Sequence, residues 1–185
     1  MMSGFRWLVA LALATGAPAA LAQKVKLATN MGDIVVQLEA EKAPKSAANF
    51  VQYVKDGHYD GLIFHRVIPT FMIQGGGFDA AMKQKATRAS IPLESRNGLS
   101  NQRGTIAMAR TMVPDSATSQ FFINVVDNQR LDAANSPDGN GYAVFGKVIS
   151  GMDVVLKIEK VQTGSKNGMG DVPTTPVVIN SIRKL

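Results

Sequence analysis

Apolar and polar residues alternate over Lys24–Thr29 and again over 33–38, with Asn30-Met31-Gly32 between the two runs. A period of two sends successive side chains to opposite faces of a strand, so this stretch predicts a hairpin. From Ala43 the period lengthens. Ala47, Phe50, Val51 and Val54 recur at helical spacing, Pro44 suits a first turn, and Gly57 can close the helix in a left-handed conformation. Strands are predicted over 62–67 and 71–74, and Gly75-Gly76-Gly77 then reads as a strand end in a conformation that Cβ atoms would forbid.

Residues 78–103 are polar and irregular, with turn signals at Asn97-Gly98 and Arg103-Gly104. Further strands are predicted over 105–109, 121–126 and 142–148, with a long loop over 132–141. Met152, Val155, Leu156 and Glu159 follow Ser150 at helical spacing, which predicts a second short helix capped by that serine. Residues 163–173 read as a polar loop and 176–183 as a closing strand. Many strands with two isolated helices predict a mainly β fold, a closed antiparallel barrel covered by helices, in one domain over 23–185.

The first 22 residues do not belong to that pattern. Arg6, the apolar run 8–14 and the Ala20-Leu21-Ala22 tripeptide read as a cleavable secretory signal peptide, with Gln23 as the expected mature N-terminus and the periplasm as the expected location. The apolar run is shorter than the roughly 18 residues a membrane span requires, so no membrane association is expected after cleavage. Cysteine is absent, which excludes a thiol nucleophile and a thiolate zinc site. The formal charge of +6 is dispersed, with Arg183-Lys184 the one adjacent basic pair, so nucleic acid is not an expected partner. No His-Glu-x-x-His run points to a metal, no Lys-Ser/Thr follows the glycine run to make a phosphate loop, and no Gly-x-Ser-x-Gly supports a serine hydrolase.

One segment carries a specific signal. Phe64-His65-Arg66-Val67-Ile68-Pro69-Thr70-Phe71-Met72-Ile73-Gln74-Gly75-Gly76 resembles the signature of the cyclophilin isomerases. Gly104-Thr105-Ile106-Ala107-Met108-Ala109, Ser119-Gln120-Phe121-Phe122-Ile123 and Val144-Phe145-Gly146-Lys147-Val148 follow in that family's order and spacing. The resemblance implies an eight-stranded barrel with two capping helices and peptidyl-prolyl cis-trans isomerase activity on proline-containing polypeptides, without cofactor or metal. It implies Arg66 as the catalytic arginine with Gln74 beside it. It also implies Phe71, Met72, Phe122 and Leu131 as the proline pocket, Gln120 as part of a polar wall, and Ala109, Arg110 and Thr111 as the segment that binds the substrate backbone. Tyr142 falls where many eukaryotic members carry His.

The chemistry fits these residue types. Amide resonance sets a rotation barrier of ~18 to 20 kcal/mol. At mid-rotation the resonance is lost, the proline nitrogen becomes pyramidal and regains a lone pair, and a fixed guanidinium aimed at it binds the twisted state better than either planar isomer. Apolar side chains hold the ring meanwhile. No bond is made or broken, so no nucleophile is needed. The rival reading is a proline-binding chaperone that keeps the groove with little turnover; a covalent hydrolase lacks its motif.

Other expectations concern the surroundings. Strand alternation sends His65 to the face opposite Arg66, in a hydrogen-bonded structural role, and His58 is expected to be solvated or capping just past a helix end. Arg130 stands where the family's Trp would sit beside Leu131, and Arg110 stands at the usual Asn, so the pocket rim is expected to be more basic and cyclosporin binding weak. The protein is expected to act as a monomer.

Overall fold

The computed structural model describes residues 23–185; the predicted signal segment, 1–22, lies outside the described residues. The elements run β1 (Lys24–Thr29), β2 (Gly32–Leu38), α1 (Pro44–Lys55), β3 (Leu62–Ile68), β4 (Met72–Asp79), β5 (Thr105–Met108) and β6 (Phe121–Asn124). A 3-10 turn at Gln129–Leu131 follows, then β7 (Val144–Ser150), α2 (Met152–Glu159), β8 (Thr163–Lys166), β9 (Met169–Pro173) and β10 (Ile179–Lys184).

Eight strands pair antiparallel in the order β10-β1-β2-β7-β5-β6-β4-β3. The two ends of this sheet meet, since Ile63 bridges Val178, the Phe64 N–H donates to the Val177 carbonyl at 2.9 Å, and the Gly61 N–H donates to the Ile179 carbonyl at 2.9 Å. The predicted eight-stranded barrel with two helices is thus present, nearly closed, with a short seam between β3 and β10.

Alternation decides what enters the barrel. β1 turns Val25 and Leu27 inward and β2 turns Ile34, Val36 and Leu38 inward, where they join Phe64, Ile73, Ile106, Phe121 and Phe145 in one core. Helix α1 adds Phe50, whose ring lies 5.1 Å from Tyr59, 5.5 Å from Phe121 and 5.2 Å from Phe145. Burying each such side chain contributes about 1.5 to 3 kcal/mol. The ends of α1 are closed by different means. At its C-terminus Gly57 takes φ 62°, its N–H bonds the Val54 carbonyl, and the His58 N–H bonds the Tyr53 carbonyl, which is a Schellman arrangement. At its N-terminus Ala43 offers no side-chain acceptor, and the Glu94 carboxylate accepts instead from the Lys45 N–H at 3.0 Å, the Ser46 N–H at 2.8 Å and the Ser46 hydroxyl at 2.7 Å.

Four expectations are corrected. The glycine run does not end a strand: β4 continues through it to Asp79, because the glycines are needed for close approach. A Cβ on Gly76 (φ 85°) would lie 2.9 Å from Tyr59 and 3.0 Å from Phe121, and one on Gly77 would lie 2.7 Å from the Gln120 side chain. Residues 163–173 are not a loop but the hairpin β8–β9, whose two-residue turn Asn167-Gly168 has φ 51° and 78°, both positive as a type I′ turn requires. Gly151, not Ser150, caps α2, since a Cβ there would meet the Asp33 carbonyl oxygen at 2.2 Å. His58 is buried rather than solvated, because the turn after Gly57 folds its ring between Tyr53 at 4.6 Å and Tyr59 at 5.4 Å.

Candidate active site

The ladder that builds the barrel wall also builds a face outside it. Arg66 on β3 pairs with Gln74 on β4, Gln74 pairs with Phe122 on β6, and Phe122 pairs with Ala107 on β5. Directly paired residues point the same way, so these four side chains form one outward row. Their neighbours in sequence, Val67, Ile73, Phe121 and Ile123, belong to the interior core. Met72, Ala107, Phe122 and Val144 form a second, smaller apolar cluster, with Phe71, Ala109, Leu131 and Tyr142 packed against it.

On this face lies a cavity of about 170 Å³ lined by Arg66, Phe71, Met72, Gln74, Ala109, Arg110, Phe122, Leu131 and Tyr142. Nine of the eleven residues named from the sequence therefore line one site. Gln120 stands just behind it, its Oε1 accepting from Gln74 Nε2 at 2.9 Å. Thr111 lies past the lining, with its hydroxyl bonded to Ser116 Oγ at 2.9 Å and its N–H bonded to the same oxygen at 2.9 Å.

Arg66 is the exposed member of an otherwise mostly buried strand. Its side chain is 46% exposed, and its Nε sits 3.8 Å from the Asp171 carboxylate, itself half-exposed, a separation at which an ion pair contributes little. The guanidinium thus retains donors to offer a ligand. Asp171 went unnoticed in the sequence because its hairpin read as a loop; the Asn167-Gly168 dipeptide was the signal that could have revealed it.

His65 does turn away from Arg66, as alternation predicts. It is 4% exposed, its ring packs 4.7 Å from Phe78, and its Nδ1 has no hydrogen-bond partner among the described residues. Burial, with the Arg66 charge assisting, lowers its pKa from 6.5 to about 4, which keeps the imidazole neutral. Burial also lowers the pKa of His58, with Lys85 assisting.

The expected basic rim is only half present. Arg110 turns its side chain inward to an ion pair with Asp138 and is 3% exposed, so its charge is neutralised. Arg130 remains at the surface with its guanidinium 4.7 Å from the Phe71 ring centroid, and both residues line a separate depression between 68–71 and 126–130. Among the described residues no cluster of His, Cys, Asp and Glu could hold a metal.

The family model described as "cyclophilin type peptidyl-prolyl cis-trans isomerase/CLD" matches residues 24–184. The chain belongs to the cyclophilin-type peptidyl-prolyl cis-trans isomerases. It is 58% identical over 159 residues to a peptidyl-prolyl cis-trans isomerase of Acinetobacter baylyi, covering 86% of this chain and 84% of the relative. It is 55% identical over 155 residues to peptidyl-prolyl cis-trans isomerase B of Escherichia coli, covering 83% and 94%. A cyclophilin-type isomerase of Cryptosporidium parvum, solved in the presence of the dipeptide Ala-Pro, superposes with a TM-score of 0.70 at 28% identity, covering 86% of this chain and 97% of that one. The chain is accordingly an isomerase whose family acts on proline-containing polypeptides.

Proposed function

We propose that this cyclophilin accelerates X-Pro rotation by noncovalent stabilisation of the twisted imide by Arg66, and that it does so as a monomer on unfolded polypeptides in the periplasm after loss of residues 1–22. The observation that carries the mechanism is the register of β3 and β4, which sets Arg66 and Gln74 side by side in the same cavity as Phe71, Met72, Phe122 and Leu131. Phe71, Met72, Phe122 and Leu131 hold the pyrrolidine by contact, and Met72 and Phe122 are buried and cannot swing away. The carbonyl before the proline turns while the ring stays seated. As the imide leaves planarity its nitrogen gains a lone pair, and an N–H of Arg66 donates to it. Neither planar isomer offers that acceptor, so the bond lowers the barrier without deepening the ground state. Gln74, steadied by Gln120, keeps its carbonyl oxygen as an acceptor for Arg66 or for a peptide N–H.

Arg66→Lys separates charge from geometry. Lysine keeps the cation and loses the planar fork, and kcat/KM on an Ala-Pro peptide is expected to fall at least about tenfold. Activity equal to wild type would refute the directional role of the guanidinium. Location is read by cell fractionation with N-terminal sequencing: a periplasmic chain beginning at Gln23 is expected, and a cytoplasmic chain retaining Met1 would overturn the export reading.

A further inference from the structure

Two stretches of chain make adjoining walls of the cavity. One holds Ala109 and Arg110, with Thr111 just past the lining, and the other holds Leu131 and Tyr142, the residues that flank the loop 132–141. A single side chain ties them. Arg110 Nε donates to the Gly141 carbonyl at 2.8 Å, Nη1 donates to the Thr111 carbonyl at 3.0 Å, and Nη2 donates to the Asp138 carboxylate, 28 residues along the chain. The guanidinium lies 4.7 Å from the Tyr142 ring centroid, and that ring meets Phe122 edge-on at 5.6 Å.

The far side of the tie is equally organised. Asp138 Oδ1 accepts from the Asn140 N–H at 3.0 Å, the Ser136 hydroxyl at 3.0 Å and the Gly141 N–H at 3.3 Å. The Asn140 N–H, with Arg110 assisting, holds this carboxyl well below the usual carboxylate range. The loop is anchored again from behind, where Arg96 Nη2 donates to the Gly139 carbonyl at 2.7 Å and the Ser95 hydroxyl bonds the Asn140 carbonyl. Arg110's side chain is 3% exposed although the residue as a whole is only half-buried, so what it shows to solvent is mostly backbone.

We propose that Arg110 is a positioning residue whose guanidinium locks the loop 132–142 to the peptide-binding edge 109–111, holding Tyr142 and that edge at their working separation before substrate arrives. The inference rests on reading the cavity as the proline site. A guanidinium is required because three donors must leave one plane in different directions while its face covers Tyr142. Preorganisation of this kind removes an ordering cost from binding. It leaves the chemical step alone, because Arg66 and Gln74 stand on β3 and β4, which the tie does not touch. Loss of the lock therefore acts on KM and not on kcat.

The test is steady-state exchange of an Ala-Pro peptide by wild type, Arg110→Ala, Arg110→Lys and Asp138→Asn, each with its melting temperature. KM is expected to rise about tenfold in Arg110→Ala, a 1.4 kcal/mol effect, and about threefold or more in the two milder variants, with kcat within about twofold of wild type. The Arg110→Ala/Asp138→Asn double variant is expected to be no worse than Arg110→Ala, since the two act as one unit. An unchanged KM with a lowered melting temperature would make the pair merely structural and overturn the proposal, as would a fall in kcat at constant KM. Should Arg110→Ala fail to fold, Asp138→Asn, which preserves shape, decides by the same split. Failure of wild type to accelerate exchange would instead count against the proline-site reading itself.

Discussion

Arg66 stands at 46% exposure beside a carboxylate that holds it only loosely, and this sets how its neighbours can be altered. Asp171→Asn removes an exposed pair, so stability is expected to change by less than about 0.5 kcal/mol and kcat/KM by less than about threefold. A loss of tenfold or more in exchange assays would show that Asp171 aims the guanidinium. Gly77→Ala is expected to have a larger effect. Its Cβ would lie 2.7 Å from the Gln120 side chain, displacing the amide that accepts from Gln74, and kcat/KM should drop about three- to tenfold if that bond steadies the site. The lining residues were legible because the chain resembles the cyclophilin isomerases in the segment 64–76 and in those that follow it, and the family's site falls on these positions. Asp138 was not, because its partner Arg110 lies 28 residues away and nothing local distinguishes this carboxylate from other loop acids. For the same reason Arg110 read as a rim cation, whereas burial and pairing remove its charge from the surface.

Elements were legible where one period dominates and obscure where closure comes from afar. The pattern around Phe50 identifies α1, but its N-terminal cap is Glu94, 48 or more residues downstream in an irregular segment. An anion that accepts two backbone N–H groups at a helix start stabilises by hydrogen bonding and by the helix dipole together. Glu94→Ala is therefore expected to lower stability by ~1 to 2 kcal/mol in urea unfolding while leaving KM for a short peptide unchanged; a change below 0.5 kcal/mol would show that Ser46 and water replace it. The hairpin β8–β9 illustrates the opposite failure. Its composition is mostly polar because most of its residues are exposed, with Val172 and Pro173 buried at one end, so hydrophobic alternation could not reveal it, and only Asn167-Gly168 did so in principle.

At the scale of the whole molecule, the buried histidines couple stability to pH. His65 has a folded pKa of about 4 against 6.5 for the ordinary side chain, so above pH 6.5 neither state is protonated and the full stability is present. As pH falls from 6.5 toward 4 the unfolded chain takes up a proton that the folded one refuses, and stability is lost, ~2 to 3 kcal/mol by pH 4.5 from this group. His58 shifts in the same direction and adds to the slope. Urea titrations at pH 7 and 4.5 should show this loss, and His65→Gln should shrink it; an unchanged slope would place the acid sensitivity elsewhere. Arg130 over Phe71, in place of an indole, also leads to an expected weak affinity for cyclosporin, and a nanomolar inhibition constant would contradict that.

The barrel exists, on this account, to hold one guanidinium against a seated proline ring. The direct measurement is the rate of cis-trans exchange of an Ala-Pro peptide at saturating concentration, with peptide affinity determined alongside, for wild type and Arg66→Ala. Uncatalysed exchange takes tens to hundreds of seconds, so catalysis is easily read. Affinity is expected to hold within about threefold while catalysed exchange slows by about 10²- to 10³-fold. Exchange by Arg66→Ala at the wild-type rate, or a loss confined to affinity, would contradict the account.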